Sequence, residues 1–243
     1  MKLTPLIVLC AVLTVPAAEA AAETVTLTSD RDATLIENTA GKLANGIGPD
    51  LYTGRTAQPQ GSIRRALLHF DLSAIPRNAT IESVRLKLHV SQATAKPAVL
   101  SVHRGLADWG EGPSFATGGG GVPALPGDST WTHRFYDPSV PAPPQPPASP
   151  ASPHSSNSLW LTPGGDYLPS ESASLDVPSS GFYIWEDARL VEDVREWVDR
   201  PKRNFGWLLV GGESQASTAR RLDSRQGMLP NFQPQLEVSY RRQ

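Results

Sequence analysis

Residues 64–90 read RRALLHFDLSAIPRNATIESVRLKLHV and contain two strand-like runs. The second run, VRLKLHV at 84–90, alternates an apolar residue with a basic residue or histidine at every step. The first run alternates in a similar way around Ala66, Leu68 and Phe70. Alternation with period two places the two sets of side chains on opposite faces of a strand. The twelve residues between the runs are too many for a tight hairpin, so this connection is predicted to cross from one sheet edge to another.

Composition narrows the class of protein. The chain has 243 residues, with 22 Lys and Arg nearly balancing 24 Asp and Glu. Without a strong net charge there is no electrostatic reason to expect a nucleic acid or an anionic membrane as partner. The chain is also rich in turn formers, with 20 Gly and 23 Pro, which favours many short strands over a helical protein.

The first twenty residues have the pattern of a cleavable signal peptide. Lys2 supplies the basic start, an apolar run follows at 6–15, and Ala18-Glu19-Ala20 offers a cleavage site. The apolar run is shorter than the ~20 residues needed to span a bilayer, so no membrane span is predicted. The prediction is a signal peptide at 1–20 and a secreted or periplasmic protein. The only cysteine, Cys10, lies within this segment.

The rest of the chain, 21–243, is interpreted as a single domain. Its strand-like runs are short and separated by turn residues, which is typical of a two-sheet antiparallel β-sandwich. One short amphipathic helix is predicted at 186–199, with apolar residues at helical spacing. Strands are predicted at 24–28, 33–37, 51–54, 64–70, 84–90, 98–104, 173–177, 181–185, 207–210, 218–225 and 236–240, and a glycine-rich loop at 41–50.

A proline-rich segment interrupts this pattern. Residues 137–153 read DPSVPAPPQPPASPASP, a composition that cannot join a sheet because proline lacks the N–H donor. One interpretation is a linker between two domains. The preferred interpretation is a disordered surface-loop insertion at about 137–158, because the runs after it continue the strand pattern.

Four groups of motifs resemble the DNRLRE-domain family, which is related to disaggregatase-type and alginate-binding carbohydrate-binding modules. The resemblance covers nearly the whole of 21–243, although Leu222 stands where the family usually has Phe and the region 109–167 is longer than in a minimal module. It implies an extracellular jelly-roll β-sandwich, with carbohydrate binding in some members. The motifs are Asp32 with Asn45-Gly46 and Leu51; RALLHFDLS at 65–73 with its continuation to Leu88; WGE at 109–111 with Thr130-Trp131; and NFGW at 204–207 with ARRLDSR at 219–225 and the closing 234–240.

No catalytic constellation is evident in the sequence. There is no H-E-x-x-H, G-x-S-x-G or P-loop motif, and the chain after residue 20 has no cysteine nucleophile. Carboxylate pairs of the kind glycosidases use could be assembled from Asp108, Glu111, Asp128 and Asp166, but no spacing selects a pair. The prediction is a non-catalytic protein, with a polysaccharide-degrading enzyme as an alternative.

Aromatic residues suggest a binding site instead. They cluster in the irregular segment before and after the proline-rich insertion, among Gly and Asp. An exposed ring can stack on the C–H face of a sugar while nearby carboxylates bind its hydroxyls. The alternative is that Trp109 and Trp131 fix this segment onto the sandwich. The predicted carbohydrate-binding residues are Trp160, Tyr167, Trp109, Trp131, Asp108 and Asp166.

Two further sites are predicted. Asp30, Asp32, Asn45 and Asp50 offer oxygen ligands in a glycine-rich context, which suits a structural calcium ion. Asp71 and Arg225 lie in the two sharpest motifs and are predicted to form an ion pair that fixes the join between the sheets, with ligand contact as the alternative.

The predicted function is therefore a secreted, non-catalytic β-sandwich module that binds extracellular or cell-wall polysaccharide. The first alternative is a structural or adhesive matrix or surface protein without a small ligand. The sequence makes no prediction of the oligomeric state.

Overall fold

The computed structural model describes residues 21–143 and 158–243. The predicted signal peptide and the segment 144–157 of the predicted insertion lie outside the described residues. The described part contains thirteen strands, one α-helix, α1 (Ala188–Asp199), and two short 3-10 helices (Pro201–Arg203 and Pro230–Phe232). The strands are β1 (Glu23–Thr28), β2 (Arg31–Ile36), β3 (Leu43–Asn45), β4 (Asp50–Arg55), β5 (Ile63–His69), β6 (Thr80–Ala93), β7 (Val99–Gly105), β8 (Val122–Pro123), β9 (Tyr167–Asp176), β10 (Gly181–Glu186), β11 (Trp207–Val210), β12 (Arg220–Asp223) and β13 (Gln235–Arg241).

The strands form two antiparallel sheets that share β4. In sheet A, β6 pairs with β10 along one edge and with β13 and β12 along the other. The sheet continues from β13 to β1 and from β12 to β4. In sheet B, β5 pairs with β2 along one edge and with β11 and the end of β4 along the other. Sheet B continues through β3 and β8 on the β2 side, and through β7 and β9 on the β11 side.

The main hydrophobic core fills the space between the sheets. The apolar residues of the 84–90 run are buried there, whereas the residues that alternate with them lie half-buried on the outer face. Ala66 and Leu68 of β5 face the same core from sheet B. The connection from β5 to β6 therefore joins the two sheets, as its length indicated. The predicted all-β antiparallel sandwich with a single helix is confirmed.

Helix α1 closes one side of the main core. The side chain of Asp187 caps its first turn by accepting a hydrogen bond from the N–H of Arg189 at 2.9 Å. Its apolar face buries Val194 and Trp197, and the ring of Trp197 lies 4.5 Å from that of Trp207 in β11. The helix begins two residues later than the predicted 186–199, because Asp187 is the extended cap and not a helical residue.

A second, smaller core lies on the outer face of sheet B. Leu35, Leu67 and Leu208 point outward from β2, β5 and β11 and are fully buried. They are covered by two stretches that flank the proline-rich segment, 106–136 and 158–166, which we call the tryptophan cover. Sheet B is thus apolar on both faces, which distinguishes it from sheet A.

The structure adds elements that the sequence did not suggest. The predicted loop at 41–50 contains β3, which pairs with β2 and with the two-residue β8. Strands β6 and β9 also extend well beyond their predicted runs. Neither the α-helix nor the 3-10 helices of the described ranges have the length and apolar character that a membrane crossing requires.

Candidate functional site

The tryptophans of the cover do not form an exposed sugar platform. Trp109 and Trp160 are 1% exposed and Trp131 is 9% exposed. The indole N–H groups of Trp109 and Trp160 donate at 2.9 Å to the main-chain oxygens of Phe205 and Thr130. The prediction of exposed tryptophan rings is wrong, because the apolar outer face of sheet B requires a cover and these rings provide it. The alternative interpretation, that Trp109 and Trp131 fix this segment onto the sandwich, describes what they do.

The guanidinium of Arg65 packs against two aromatic rings, one in this cover and one beside it. Its guanidinium lies 5.0 Å from the centroid of Trp131 and 5.3 Å from that of Tyr167. The same group pairs with Glu213 through Nε at 2.7 Å and Nη2 at 2.9 Å. Arg65 therefore connects the cover to the loop after β11 by cation–π contacts and a bidentate ion pair.

The two predicted sugar-binding carboxylates are engaged with the protein. Asp108 is exposed and pairs with Arg31 at 3.2 Å. Asp166 is buried, and its two oxygens accept hydrogen bonds from the N–H groups of Leu161 at 2.9 Å and Thr162 at 2.8 Å. Both oxygens of Asp166 thus stabilise a turn of the cover, and this argues against the predicted role in binding sugar hydroxyls.

Tyr167 has a different environment from the tryptophans. It is half-buried at the start of β9 and lines an open cleft of about 810 Å³. Its ring meets that of His103 edge-on, with centroids 5.0 Å apart. Tyr167 therefore lines a cavity, whereas the three predicted sugar-contacting tryptophans are buried.

The residues predicted to bind calcium are each held by protein partners. Nδ1 of His69 lies 2.6 Å from Asp30, and Arg221 lies 3.7 Å from Asp50. The Asn45 amide donates to the main-chain oxygen of Asp50 at 2.9 Å and accepts from the N–H of Ala116 at 3.2 Å. Within residues 21–143 and 158–243, no group of three or more acidic, histidine or cysteine side chains is placed to hold a metal ion. A structural calcium ion remains a prediction without a gathered ligand set.

Asp32 lies at the junction of the cover with both sheets. It is fully buried; Oδ2 accepts from the N–H of Arg225 at 2.7 Å and from the hydroxyl of Ser29 at 3.3 Å. Its Oδ1 has no hydrogen-bond partner among the residues that the structure describes. Burial raises the pKa of Asp32 to about 7, and the nearby charge of Glu111 acts in the same direction. The carboxyl group is therefore placed to hold a proton near neutral pH.

The predicted ion pair between Asp71 and Arg225 is wrong. Asp71 is exposed, and its carboxylate accepts from the N–H and the hydroxyl of Ser73, both at 2.9 Å. Arg225 instead pairs with Glu111 in the cover, through Nε at 2.6 Å and Nη2 at 2.5 Å. Arg225 does fix the architecture, but its partner is Glu111, which the sequence analysis placed in the WGE motif and among the carboxylate candidates without pairing it with Arg225.

The outer face of sheet A carries an exposed aromatic group that sequence reasoning missed. Phe182 on β10 and His89 on β6 are paired residues whose rings lie 4.6 Å apart, and Phe232 stacks on His89 at 4.0 Å. Nδ1 of His89 lies 2.6 Å from Asp223, and Nζ of Lys87 lies 4.7 Å from the Phe182 centroid. The alternation of the 84–90 run already placed His89 outward, but nothing local indicated which aromatic residue would join it.

Polar side chains continue this open face along the strands. Lys87 donates to Gln235 at 3.4 Å, and Arg85 pairs with both Glu186 and Glu237. These residues lie on adjacent strands of sheet A, so they form rows of donors and acceptors across it. We call the surface formed by residues 85, 87, 89, 182, 232, 235 and 237 the open face.

No family model matches the chain, and no curated protein matches it. The resemblance to the DNRLRE-domain family therefore rests on the motifs quoted above.

Proposed function

We propose that this chain is an exported, non-catalytic β-sandwich module that binds extracellular polysaccharide on the open face. The observation that carries the proposal is Phe182, which is 47% exposed although a neighbouring histidine and lysine hold its ring in place. An exposed, positioned ring is a suitable surface for the C–H face of a sugar. The motif resemblance to the DNRLRE-domain family and the signal-like residues 1–20 support the same proposal.

The polar surroundings of Phe182 suit a ligand rich in hydroxyl groups. Lys87 and Gln235 lie on the rung of sheet A next to it, and Asp223 lies beside His89. Side-chain amide, ammonium and carboxylate groups together both donate and accept hydrogen bonds. Neighbouring strands lie about 4.8 Å apart, so adjacent rungs present such groups at regular intervals to an extended chain.

Affinity electrophoresis of the chain in gels containing neutral or acidic polysaccharides, with and without calcium, tests the proposal. We expect retardation by at least one polysaccharide and its loss in Phe182→Ser. The matched control is Phe115→Ser, since Phe115 is 56% exposed but lies in the cover. Equal loss in both variants, or no retardation by any polysaccharide, would defeat the proposal. A dependence on calcium would support the predicted calcium site, and release of reducing ends would support the enzyme alternative.

A structural or adhesive role without a small ligand is the second candidate. All six tryptophans of the chain are buried, so the largest aromatic side chains serve the fold. This observation favours a protein whose aromatic content stabilises a scaffold. Failure of polysaccharide binding, together with self-association or adhesion of the intact chain to a surface, would favour this candidate.

A further inference from the structure

The cleft beside Tyr167 is open to solvent and has a volume of about 810 Å³. It lies where the tryptophan cover ends, over the part of sheet B formed by β7, β9 and the end of β11. The volume falls within the range of small-molecule sites, roughly 300 to 1,000 Å³. Its walls are mainly apolar and include Leu106, Leu159, Leu161, Pro169, Val210 and the ring of Tyr167.

The imidazole and the carboxylate of the lining are already bonded to the protein. His103 uses Nδ1 to contact a main-chain oxygen and Nε2 to contact the hydroxyl of Ser101, both at 2.9 Å. Asp166 uses both carboxylate oxygens to accept from the N–H groups of Leu161 and Thr162. These groups are committed to the fold and the rest of the wall is mainly apolar, which suits a ligand with few polar groups better than a sugar.

The guanidinium of Arg134, which also lines the cleft, donates its hydrogen bonds to the protein as well. Nε of Arg134 donates to the main-chain oxygen of Leu159 at 3.2 Å, and Nη1 donates to that of Asp108 at 3.3 Å. The side-chain hydroxyls of the lining belong to Thr162 and Tyr167. The cleft thus combines a mainly apolar wall with two side-chain hydroxyl groups.

We propose that this cleft binds an aliphatic amphiphile: a straight alkyl chain that ends in one alcohol or carboxylic acid group. The alkyl chain lies against the leucines, which bury apolar surface that water otherwise covers. The oxygen group of the ligand meets the hydroxyls of Thr162 and Tyr167. Leu161 is 60% exposed and Leu106 is about half exposed, so contact with the ligand removes apolar surface that the fold leaves in water.

Isothermal titration calorimetry with decanoate and with 1-decanol, below their aggregation limits, tests the proposal on the full chain. We expect saturable binding of one molecule per chain, with a negative heat-capacity change from burial of apolar surface. Leu161→Ser and Leu106→Ser should each weaken binding about tenfold, since each removes a leucine contact. Leu229→Ser is the matched control, because Leu229 is 55% exposed and lies outside the cleft.

Several outcomes would overturn the proposal. Absence of heat with both ligands at two well-separated temperatures would do so, as would equal weakening in Leu229→Ser or displacement of decanoate by a neutral oligosaccharide. A chain that sediments as a dimer, and becomes a monomer in Leu161→Ser, would make the cleft an interface between copies. Phe182→Ser should leave decanoate binding unchanged, which separates this result from failure of polysaccharide binding on the open face.

Discussion

The two sheets treat their outer faces in opposite ways. Sheet B directs Leu35, Leu67 and Leu208 outward and buries them beneath a long irregular segment. Sheet A directs Arg85 and Lys87 outward, and no segment within 21–143 or 158–243 covers them. The difference shows that an aromatic side chain in a loop is buried when the strands beneath the loop present apolar side chains to it. Tryptophans set among glycines and aspartates are buried here because the sheet they cross presents apolar side chains on its outer face.

Removing one aromatic ring from the outer side of each sheet should produce the largest difference in the free energy of unfolding between two variants. Trp160→Ala should lower the free energy of unfolding by about 3 to 5 kcal/mol, because it empties a fully buried site. Phe182→Ala on the open face should cost less than about 1.5 kcal/mol, because its ring contacts His89 and Lys87 but remains 47% exposed. Urea unfolding followed by circular dichroism measures both values. Similar losses in the two variants would mean that the open face also carries the fold.

Asp32 lies where the cover joins the sandwich, and titration of its carboxyl group should make the free energy of unfolding depend on pH. Burial raises the pKa of its carboxyl group to about 7 in the folded chain, whereas an unfolded aspartate has a pKa of about 3.9. Between these values the folded state holds a proton that the unfolded state has released, so stability falls as pH rises through this window. Asparagine keeps the shape of the side chain and cannot ionise.

The measurement is the difference in free energy of unfolding between Asp32→Asn and the unchanged chain. From about pH 5 to about pH 8, this difference should shift in favour of the variant by on the order of 3 kcal/mol. Other titrating groups are common to both proteins and largely cancel. A difference that does not vary with pH would show that the folded and unfolded chains ionise Asp32 alike.

The attachments of the cover should differ in strength according to their burial. Glu111→Ala leaves Arg225, the amide of Gln226 and the N–H of Asp32 without their acceptor, which should cost about 1 to 3 kcal/mol. Asp108→Ala removes an exposed attachment to Arg31 and should cost less than about 1 kcal/mol. Chemical unfolding ranks the two variants, and limited proteolysis detects loosening of the cover. The opposite ranking would show that the half-buried pair of Glu111 and Arg225 does not hold the cover in place.

Much of the sandwich could be predicted because its signal is local. The alternation at 84–90 depends on one strand, and the apolar spacing of α1 depends on one helix, so both were found without knowledge of their partners. β3 and β8 were missed because they are short, and β3 lies in a glycine-rich segment that also satisfies the pattern of a loop. Their pairing depends on contacts that are distant in sequence.

The sites were harder to predict because they depend on which segments meet. The burial of Trp109 and Trp160 depends on outward-facing leucines of sheet B that are distant in sequence, namely Leu35, Leu67 and Leu208. One signal was nevertheless present: adjacent leucines in RALLHF and WLLV put apolar side chains on both faces of β5 and β11. Strands that are apolar on both faces require a cover, and the tryptophan-rich segment was the available candidate. The partner of Arg225 had no such signal, since Asp71 and Glu111 are equally suitable acids on sequence grounds.

The charged row of the open face should contribute least to stability. Arg85 bonds to Glu186 and Glu237, and these bonds raise the pKa of its guanidinium, yet all three side chains lie largely in water. Water and dissolved ions screen such pairs, so Glu186→Gln should leave the thermal unfolding midpoint unchanged within error in both low and high salt. Glu237→Gln, on the other side of Arg85, is the matched variant and should behave alike. A clear loss of stability that salt does not remove would show that sheet A depends on its outer face as sheet B does. The open face would then be less free to serve as a binding surface.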